Sequence, residues 1–541
     1  MKKRLCQCLA LFLTAALLCA LAPAYAGAAR FSDVSAGSWY ASAVQEMVDR
    51  GIMNGKGTNT FKPNGTLTRG EFVTMLARTA LSEGELGQYT YRGIFSDVPQ
   101  KHWANRYVNW ASEAGVAGGV GGGKFEPEKQ LTRQDMAVMV VKYAKATGLD
   151  LPAINGPKLF LDYRSISSYA VDSVTKCQRA GVIDGYGDMT FRPKGVAKRS
   201  EAAVLYSRFL QTAQSAGYKI IRKRLNGMPI AAVEFDPGQF TAGVALGNDR
   251  VRGAEQAKSL FSRVGAKIAV NGGFFEFGSY DAYGTIIHEG RPITVYNQFS
   301  PAKSAIVMDS SGRFSVENYR TNISATVSAA DGRELTVKDV GANRFPYDPK
   351  DGTRLIFTSD WGGSLGFQAR YAAVVDGSGR VTALCQNQDV SIPKDGYVLA
   401  QRGPRADDSF IQAATPGAYL RFETEYTGSS TQDVELSIAA GPKIVENGRP
   451  YGNASTYAAE GLGGIGGESQ ARRVCIGVRY DGSLLILTAY ASLPELSGIM
   501  AVMGCQSAVN LDGGGSTNLY VNGQWLYGPT DRALNNALYF K

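Results

Sequence analysis

Phe61-Lys62-Pro63-Asn64-Gly65-Thr66-Leu67-Thr68-Arg69-Gly70-Glu71 decides how the first 210 residues are organised, because its skeleton occurs three times. The Phe-x-Pro element returns as Phe125-Glu126-Pro127 and Phe191-Arg192-Pro193, and the closing element returns as Thr132-Arg133-Gln134-Asp135 and Lys198-Arg199-Ser200-Glu201. Upstream, the copies open on Phe31-Ser32-Asp33-Val34, Phe95-Ser96-Asp97-Val98 and, weakened, Phe160-Leu161-Asp162-Tyr163. An aromatic follows each opening (Trp39, Trp103, Tyr169), then a helix-like run ending at Gly51, Gly115 or Gly181. Thr68 and Thr132 stand as N-caps with an acid three residues on, the sign of a capping box, and Phe72, Val73 and Leu76 follow with helical spacing. Each copy reads as helix, turn, helix, too small to bury its own apolar face. Three copies packed together can share one core.

These ordered elements resemble three tandem S-layer homology repeats over about residues 31–210. The resemblance implies a pseudo-threefold, all-α bundle that binds the anionic, often pyruvylated, secondary polymer of a bacterial cell wall. It puts the arginines of the closing element, Arg69, Arg133 and Arg199, on that ligand, with Asp33, Asp97, Trp39 and Trp103 as companions. A guanidinium suits the task, since its planar fork grips a carboxylate with two hydrogen bonds. The bland reading of the arginines is a surface ion pair near a helix start, and of the tryptophans a place in the core. The third copy lacks both Trp and Thr, which makes Arg199 the weakest of the three assignments.

At 541 residues the chain exceeds one ordinary core, so several domains are expected. Lys2, Lys3 and Arg4, the apolar run Leu9 to Leu21, and Ala24-Tyr25-Ala26 read as a secretory signal peptide. No later stretch has the length of a transmembrane segment. The expected order is signal peptide 1–26, repeats 27–90, 91–155 and 156–210, a linker 211–217 and a second domain 218–541. Residues 27–210 hold 23 Lys/Arg against 17 Asp/Glu, whereas 211–541 hold 31 of each, so the basic excess lies in the repeats. Outside the cell that charge suits an anionic wall polymer; nucleic acid would answer the same electrostatics but is not the expected partner. Beyond the signal peptide only Cys177, Cys385, Cys475 and Cys505 remain, too few for a disulfide framework; buried thiols or a Cys475 to Cys505 bridge are both compatible with the sequence.

Beyond Gln211 short apolar runs bounded by Gly, Asn and Asp predict strands at 231–235, 267–270, 304–308, 474–478 and 483–487, with helices at 255–264 and 493–503. This is an α+β domain with a large mixed or antiparallel sheet. Residues 310–430 carry no motif and are the place for an insertion. Two segments stand out: Asn271-Gly272-Gly273-Phe274-Phe275, and Asn510-Leu511-Asp512-Gly513-Gly514-Gly515-Ser516-Thr517. Consecutive glycines at a strand end let backbone N–H groups approach an anion, and Asp512 sets a carboxylate at the mouth of such a nest. Each segment alone also reads as a hairpin turn.

Together they resemble the phosphodiester glycosidase family over about residues 218–541. The family's Arg-Thr-Ala-Ile-Gly element stands here as Arg473-Val474-Cys475-Ile476-Gly477, and its Glu-Leu helix opening as Glu495-Leu496. The resemblance implies hydrolysis of a glycosyl phosphodiester, with N-acetylglucosamine the expected sugar. In that reading Asp512 is base or ring-charge stabiliser, Arg473 and the N–H groups of Gly513, Gly514 and Gly515 stabilise phosphate, and Glu495 is a second carboxylate. Asn271, Gly272, Gly273, Asn510, Ser516 and Thr517 would bind substrate.

His102 and His288 are the only histidines, which excludes a three-His zinc site. A serine nucleophile would depend on His288, which sits in a hairpin-like Ile287-His288-Glu289-Gly290. The sequence requires no cofactor; a divalent cation beside Asp512 would fit phosphate chemistry, but no second acid adjoins it. The rival reading is a non-catalytic S-layer or adhesion protein with a sugar-binding C-terminal domain.

Overall fold

The computed structural model describes residues 31–91, 93–295, 301–463 and 467–541; the expected signal peptide lies outside them. Two compact units emerge, one of residues up to 145 with 150–214, the other of 146–149 with 215–541.

In the first unit each copy supplies a short and a longer helix: Ala41–Asp49 and Arg69–Ala80, Asn105–Glu113 and Arg133–Thr147, Val171–Arg179 and Arg199–Thr212. Thr68 caps its helix as the sequence predicts, accepting from Glu71 N while the Glu71 carboxylate accepts from Thr68 N. Thr132 does the same for Asp135 N, and in the third copy Glu201 still accepts from Lys198 N. Between the helices run extended segments rather than further helix. Their bridges, Thr66 with Lys198, Thr68 with Gln130 and Thr132 with Val196, join different copies. Leu67 N donates to Ala197 O, Ala197 N to Leu131 O and Leu131 N to Leu67 O, so the copies are hydrogen-bonded in a closed cycle. Phe61, Phe125 and Phe191 are buried in equivalent positions.

The second unit is β-rich. One eleven-stranded sheet is antiparallel except where Glu334–Ala342 runs parallel to Arg354–Thr358. It takes in most of residues 303–439, so the stretch expected to hold an insertion is the largest sheet of the unit. A seven-stranded antiparallel sheet has Ala471–Arg479 between Leu484–Ala491 and Cys505–Asn510. A five-stranded antiparallel sheet has Ile268–Asn271 between Leu519–Val521 and Asn536–Phe540. One buried cluster, including Val270, Ile306, Ile476, Val509 and Leu538, draws on all three sheets. The predicted helices appear as Ala257–Arg263 and Leu493–Val502.

Cys177, Cys385, Cys475 and Cys505 are free thiols. Cys475 pairs in register with Asn510 and Cys505 with Arg479. Their Cα atoms therefore stand roughly 13 Å apart along the ladder, too far for the bridge considered above. Among the described residues no helix is long and apolar enough to cross a membrane.

Candidate functional site

The two glycine-rich segments meet. Cys505–Asn510 leaves the seven-stranded sheet and the chain re-enters the five-stranded sheet at Leu519, beside Ile268–Asn271. At that passage Asn271 Nδ2 donates to Asp512 O at 2.7 Å, Asp512 N donates to Gly272 O at 3.1 Å, and Asn518 N donates to Asn271 Oδ1 at 2.9 Å. Both polar atoms of Asn271 are therefore engaged in clasping the Asp512 loop. The N–H groups of Gly272 and Gly273 donate to Asn536 O and Asn536 Oδ1. A Cβ on Gly272 would lie 1.9 Å from Asn536 Oδ1, so the clasp admits only glycine there.

Asp512 lies in dense surroundings that leave a part of it open. Burial pushes its carboxyl up to about 6, opposed by hydrogen bonds from Ser516 and Gly513 N and by the charge of Arg532. Gly514–Ser516 forms a single tight turn, with Ser516 N on Gly513 O and Thr517 N on Gly514 O. Arg532 was not singled out by sequence because nothing beside it repeats or matches a motif. Its Nη1 lies 3.5 Å from Ser516 Oγ, and its guanidinium stacks 4.5 Å over the Phe277 ring. A Cβ on Gly515 would come within 2.7 Å of Arg532 Cζ, so the third glycine of the triplet makes the seat for this arginine. Two buried polar atoms here have no partner, Asn510 Oδ1 and Thr517 Oγ1. A buried acceptor or hydroxyl left unpaired costs roughly 1–3 kcal/mol.

Arg473 is buried, which lowers its pKa. Its Cδ lies 3.8 Å from the Cβ position of Gly513, but its guanidinium is directed at Ala491 O and Ser469 O. Arg532 is the cation whose charge bears on Asp512. Glu495 accepts from Ser492 N and Ser492 Oγ, both at 2.8 Å, in a capping box, and Gln470 also donates to it. Those bonds hold its carboxyl below the usual range, and it lines a cleft with Leu225, Asn226 and Met228, none of which belongs to the Asp512 cluster. His288 lies in a hairpin strand, paired with Arg291 on one side and with Leu436 on the other. Among the described residues no group of three or more His, Cys, Asp or Glu side chains could hold a metal.

In the repeats the three arginines act across copies. Arg69 Nε donates to Phe125 O, Arg133 Nε to Phe191 O and Arg199 Nε to Phe61 O, each guanidinium lying over the ring of that same phenylalanine. Arg133 pairs with Glu201 at 3.2 Å and Arg199 with Glu71 at 3.9 Å. Trp39 and Trp103 lie at the surface, 66% and 48% exposed, not in the core. Trp39 shares a cleft of about 460 Å³ with Arg133 and Glu201, and Trp103 one of about 340 Å³ with Arg199 and Glu71. Arg199 therefore sits with an intact tryptophan of the second copy. The weakened aromatic, Tyr169, bonds instead to Asp135 and Gln134, next to Arg69. Asp33 and Asp97 are turn clamps: each accepts two backbone N–H bonds, from Phe61 and Lys62 and from Phe125 and Glu126. The residues after the phenylalanines, Lys62 and Glu126, take positive φ there.

A family profile described as phosphodiester glycosidase matches residues 369–541, and the S-layer homology domain matches 30–73, 94–137 and 159–203. The chain carries three S-layer homology repeats and a phosphodiester glycosidase domain. The glycosidase match begins later than the expected residue 218, so the strand bearing Asn271 joins the matched stretch through its ladder and side-chain bonds, not through the profile. An endoglucanase of Bacillus sp. (strain KSM-635) is 29% identical over 188 residues, 35% of this chain and 19% of its own length. A cell surface protein of Thermoanaerobacter kivui is 27% identical over 345 residues, 59% of this chain and 42% of its own. The chain thus spans less than half the length of these two curated relatives. The crystal structure of a hypothetical protein from Synechocystis superposes with a TM-score of 0.51 at 23% identity, covering 60% of this chain and 62% of that one, a likeness of fold. The S-layer homology repeats assign the protein to the cell wall or S-layer.

Proposed function

We propose that the protein is a wall-tethered hydrolase that cleaves a glycosyl phosphodiester, with N-acetylglucosamine as the sugar, at the Asp512 loop. The observation that carries this reading is a carboxyl pushed up to about 6, beside a cation that a glycine seats, at the junction of the two glycine-rich segments. Phosphate is a good leaving group, so the reaction depends less on a strong acid than on stabilising negative charge. Water attacks the anomeric carbon as the carbon–oxygen bond to phosphate breaks. Its proton passes to the Asp512 carboxylate, and the bonding pair leaves with the phosphate monoester. Arg532 and the N–H groups of Gly514 and Gly515 hold that phosphate. Asn510 Oδ1 and Thr517 Oγ1 meet the sugar's polar groups, and Arg473 is a positioning residue behind Gly513. No second carboxylate is assigned.

The repeats, 27–90, 91–155 and 156–210, are the tether, holding an anionic secondary wall polymer in the Trp39 and Trp103 clefts. The test is incubation of the purified protein with N-acetylglucosamine 1-phosphate methyl diester. Wild type should release free sugar and methyl phosphate, and Asp512→Ala should not. If wild type releases nothing from any sugar phosphodiester tried yet still binds one, the non-catalytic adhesion reading takes over.

A further inference from the structure

The chain crosses from the eleven-stranded sheet to the seven-stranded sheet at 439–442, between Val434–Ala439 and Lys443–Glu446. This crossover touches both glycine-rich segments. On one side Ala439 O lies 2.3 Å from the Cβ position of Gly273. On the other, Gly441 N donates to Asn510 O at 3.0 Å, Asn510 N donates to Pro442 O at 3.0 Å, and Asn510 Nδ2 donates to Gly441 O at 3.2 Å. Three bonds therefore fix Asn510 to the crossover, and none of them uses its Oδ1.

The crossover is held in turn by Glu460, which follows the short helix Ala454–Ala459 and is 6% exposed. Its Oε1 accepts from Ser304 Oγ at 2.9 Å and from Lys443 N at 3.4 Å, and its Oε2 accepts from Ser304 N at 2.9 Å. Its backbone oxygen takes Lys303 Nζ at 2.9 Å, and Ala440 N donates to Ser304 O. One carboxylate thus ties the strand beside the crossover to the residue that leaves it. The same group lies against Gly441, where a Cβ would come within 2.6 Å of Oε2. Burial raises the Glu460 carboxyl above its ordinary value and lowers the Lys303 ammonium, each charge partly offsetting the other's shift. An apolar side chain of similar volume would fill the space without that cost, so stability alone does not account for a carboxylate here.

We propose that Glu460 is a positioning residue for the Asp512 site: by fixing the 439–442 crossover it sets where Asn510 presents Oδ1 to the sugar. This rests on the reading of the Asp512 loop given above and adds a residue from outside both glycine-rich segments.

Glu460→Met keeps the volume and removes the acceptors. With N-acetylglucosamine 1-phosphate methyl diester and the intact protein, it should lower kcat/KM about tenfold, since small misplacements of a binding group are costly. Glu460→Gln, which still offers an amide oxygen to Ser304 N and an amide N–H to Ser304 Oγ, should return to within about threefold of wild type. A double-mutant cycle separates positioning from general loosening: in an Asn510→Ala background Glu460→Met should cost less than about twofold. Wild-type kcat/KM in Glu460→Met, or the full loss repeated in the Asn510→Ala background, overturns the proposal. Should Glu460→Met fail to fold, Ser304→Ala carries the same cycle, with a loss of about threefold alone and none beside Asn510→Ala. If wild type cleaves no diester, the hydrolase reading fails by itself; in that case, or if Asn510→Ala is too slow to measure, amide hydrogen exchange decides. The folded variant should then exchange at Gly441 and Asn510 at least about tenfold faster than wild type, with Ala373, in Ala369–Val375 on the far side of the eleven-stranded sheet, unchanged. Unaltered exchange at Gly441 and Asn510, or equal acceleration at Ala373, overturns it.

Discussion

Replacing Asp512 with asparagine should make the protein more stable at neutral pH while removing its hydrolytic activity. Burial lifts the Asp512 carboxyl from 3.8 to about 6. Each unit is about 1.4 kcal/mol, so the ionised side chain costs the fold up to about 3 kcal/mol, and its open surface lowers that toward about 1 kcal/mol through solvent screening. The sign follows from the raised value. Below about 3.8 the group is protonated in folded and unfolded chains alike and the penalty vanishes; it grows as pH rises and is complete above about 6. Asparagine carries no such penalty. The thermal midpoint of Asp512→Asn should therefore exceed wild type by a few degrees at pH 8, and the difference should close by pH 3.5. Over the same range wild-type hydrolysis should climb through about pH 6 as Asp512 becomes able to take a proton from water, and the variant should lose about 10²- to 10⁴-fold in rate. Differential scanning calorimetry at the two pH values, paired with sugar release, makes the measurement. A variant less stable than wild type at pH 8, or equally stabilised at both pH values, refutes the argument.

Gly515→Ala should displace Arg532, since its Cβ would lie 2.7 Å from the guanidinium carbon, and sugar release should fall at least tenfold with little change in thermal midpoint. Arg199→Ala removes a buried cation bonded to Phe61 O, Asn54 O and Glu71, and should cost the repeats about 3–5 kcal/mol in chemical denaturation. Trp39→Ala and Trp103→Ala should cut co-sedimentation with purified walls without shifting that denaturation, whereas Tyr169→Phe should leave sedimentation nearly unchanged. Glu495→Gln should keep wild-type hydrolysis and lose about 0.5–2 kcal/mol of stability through its helix cap.

What sequence exposes is local order. The helix caps at Thr68 and Thr132, the strands around Val270, Ile306, Ile476 and Ile486, and the hairpin at His288 all lie within a few residues of the pattern that announces them. The meeting of Asn271 with Asp512 was legible too, although only through the pairing of two motifs 241 residues apart. What stayed hidden depends on partners remote in the chain. Arg199 looked weakest because its own copy lacks Trp, yet its cleft is completed by Trp103 and Glu71. Arg532 carries no local signal, and its place is set by Gly515 and Phe277. Glu495 carries a double signal, because an acid three residues after a serine serves a helix start as well as it serves catalysis. Asn271 has the chemistry of a sugar ligand, and only its two bonds reveal a clasp.

The cycle through Leu67, Ala197 and Leu131 leaves the anchor without a first or last copy in space. A linear array can fray from its ends and needs special copies to seal them. Here, each copy is sealed by the next. Mechanical strain that opens one joint is resisted at the other two, so under shear the tether should hold or let go as a single piece.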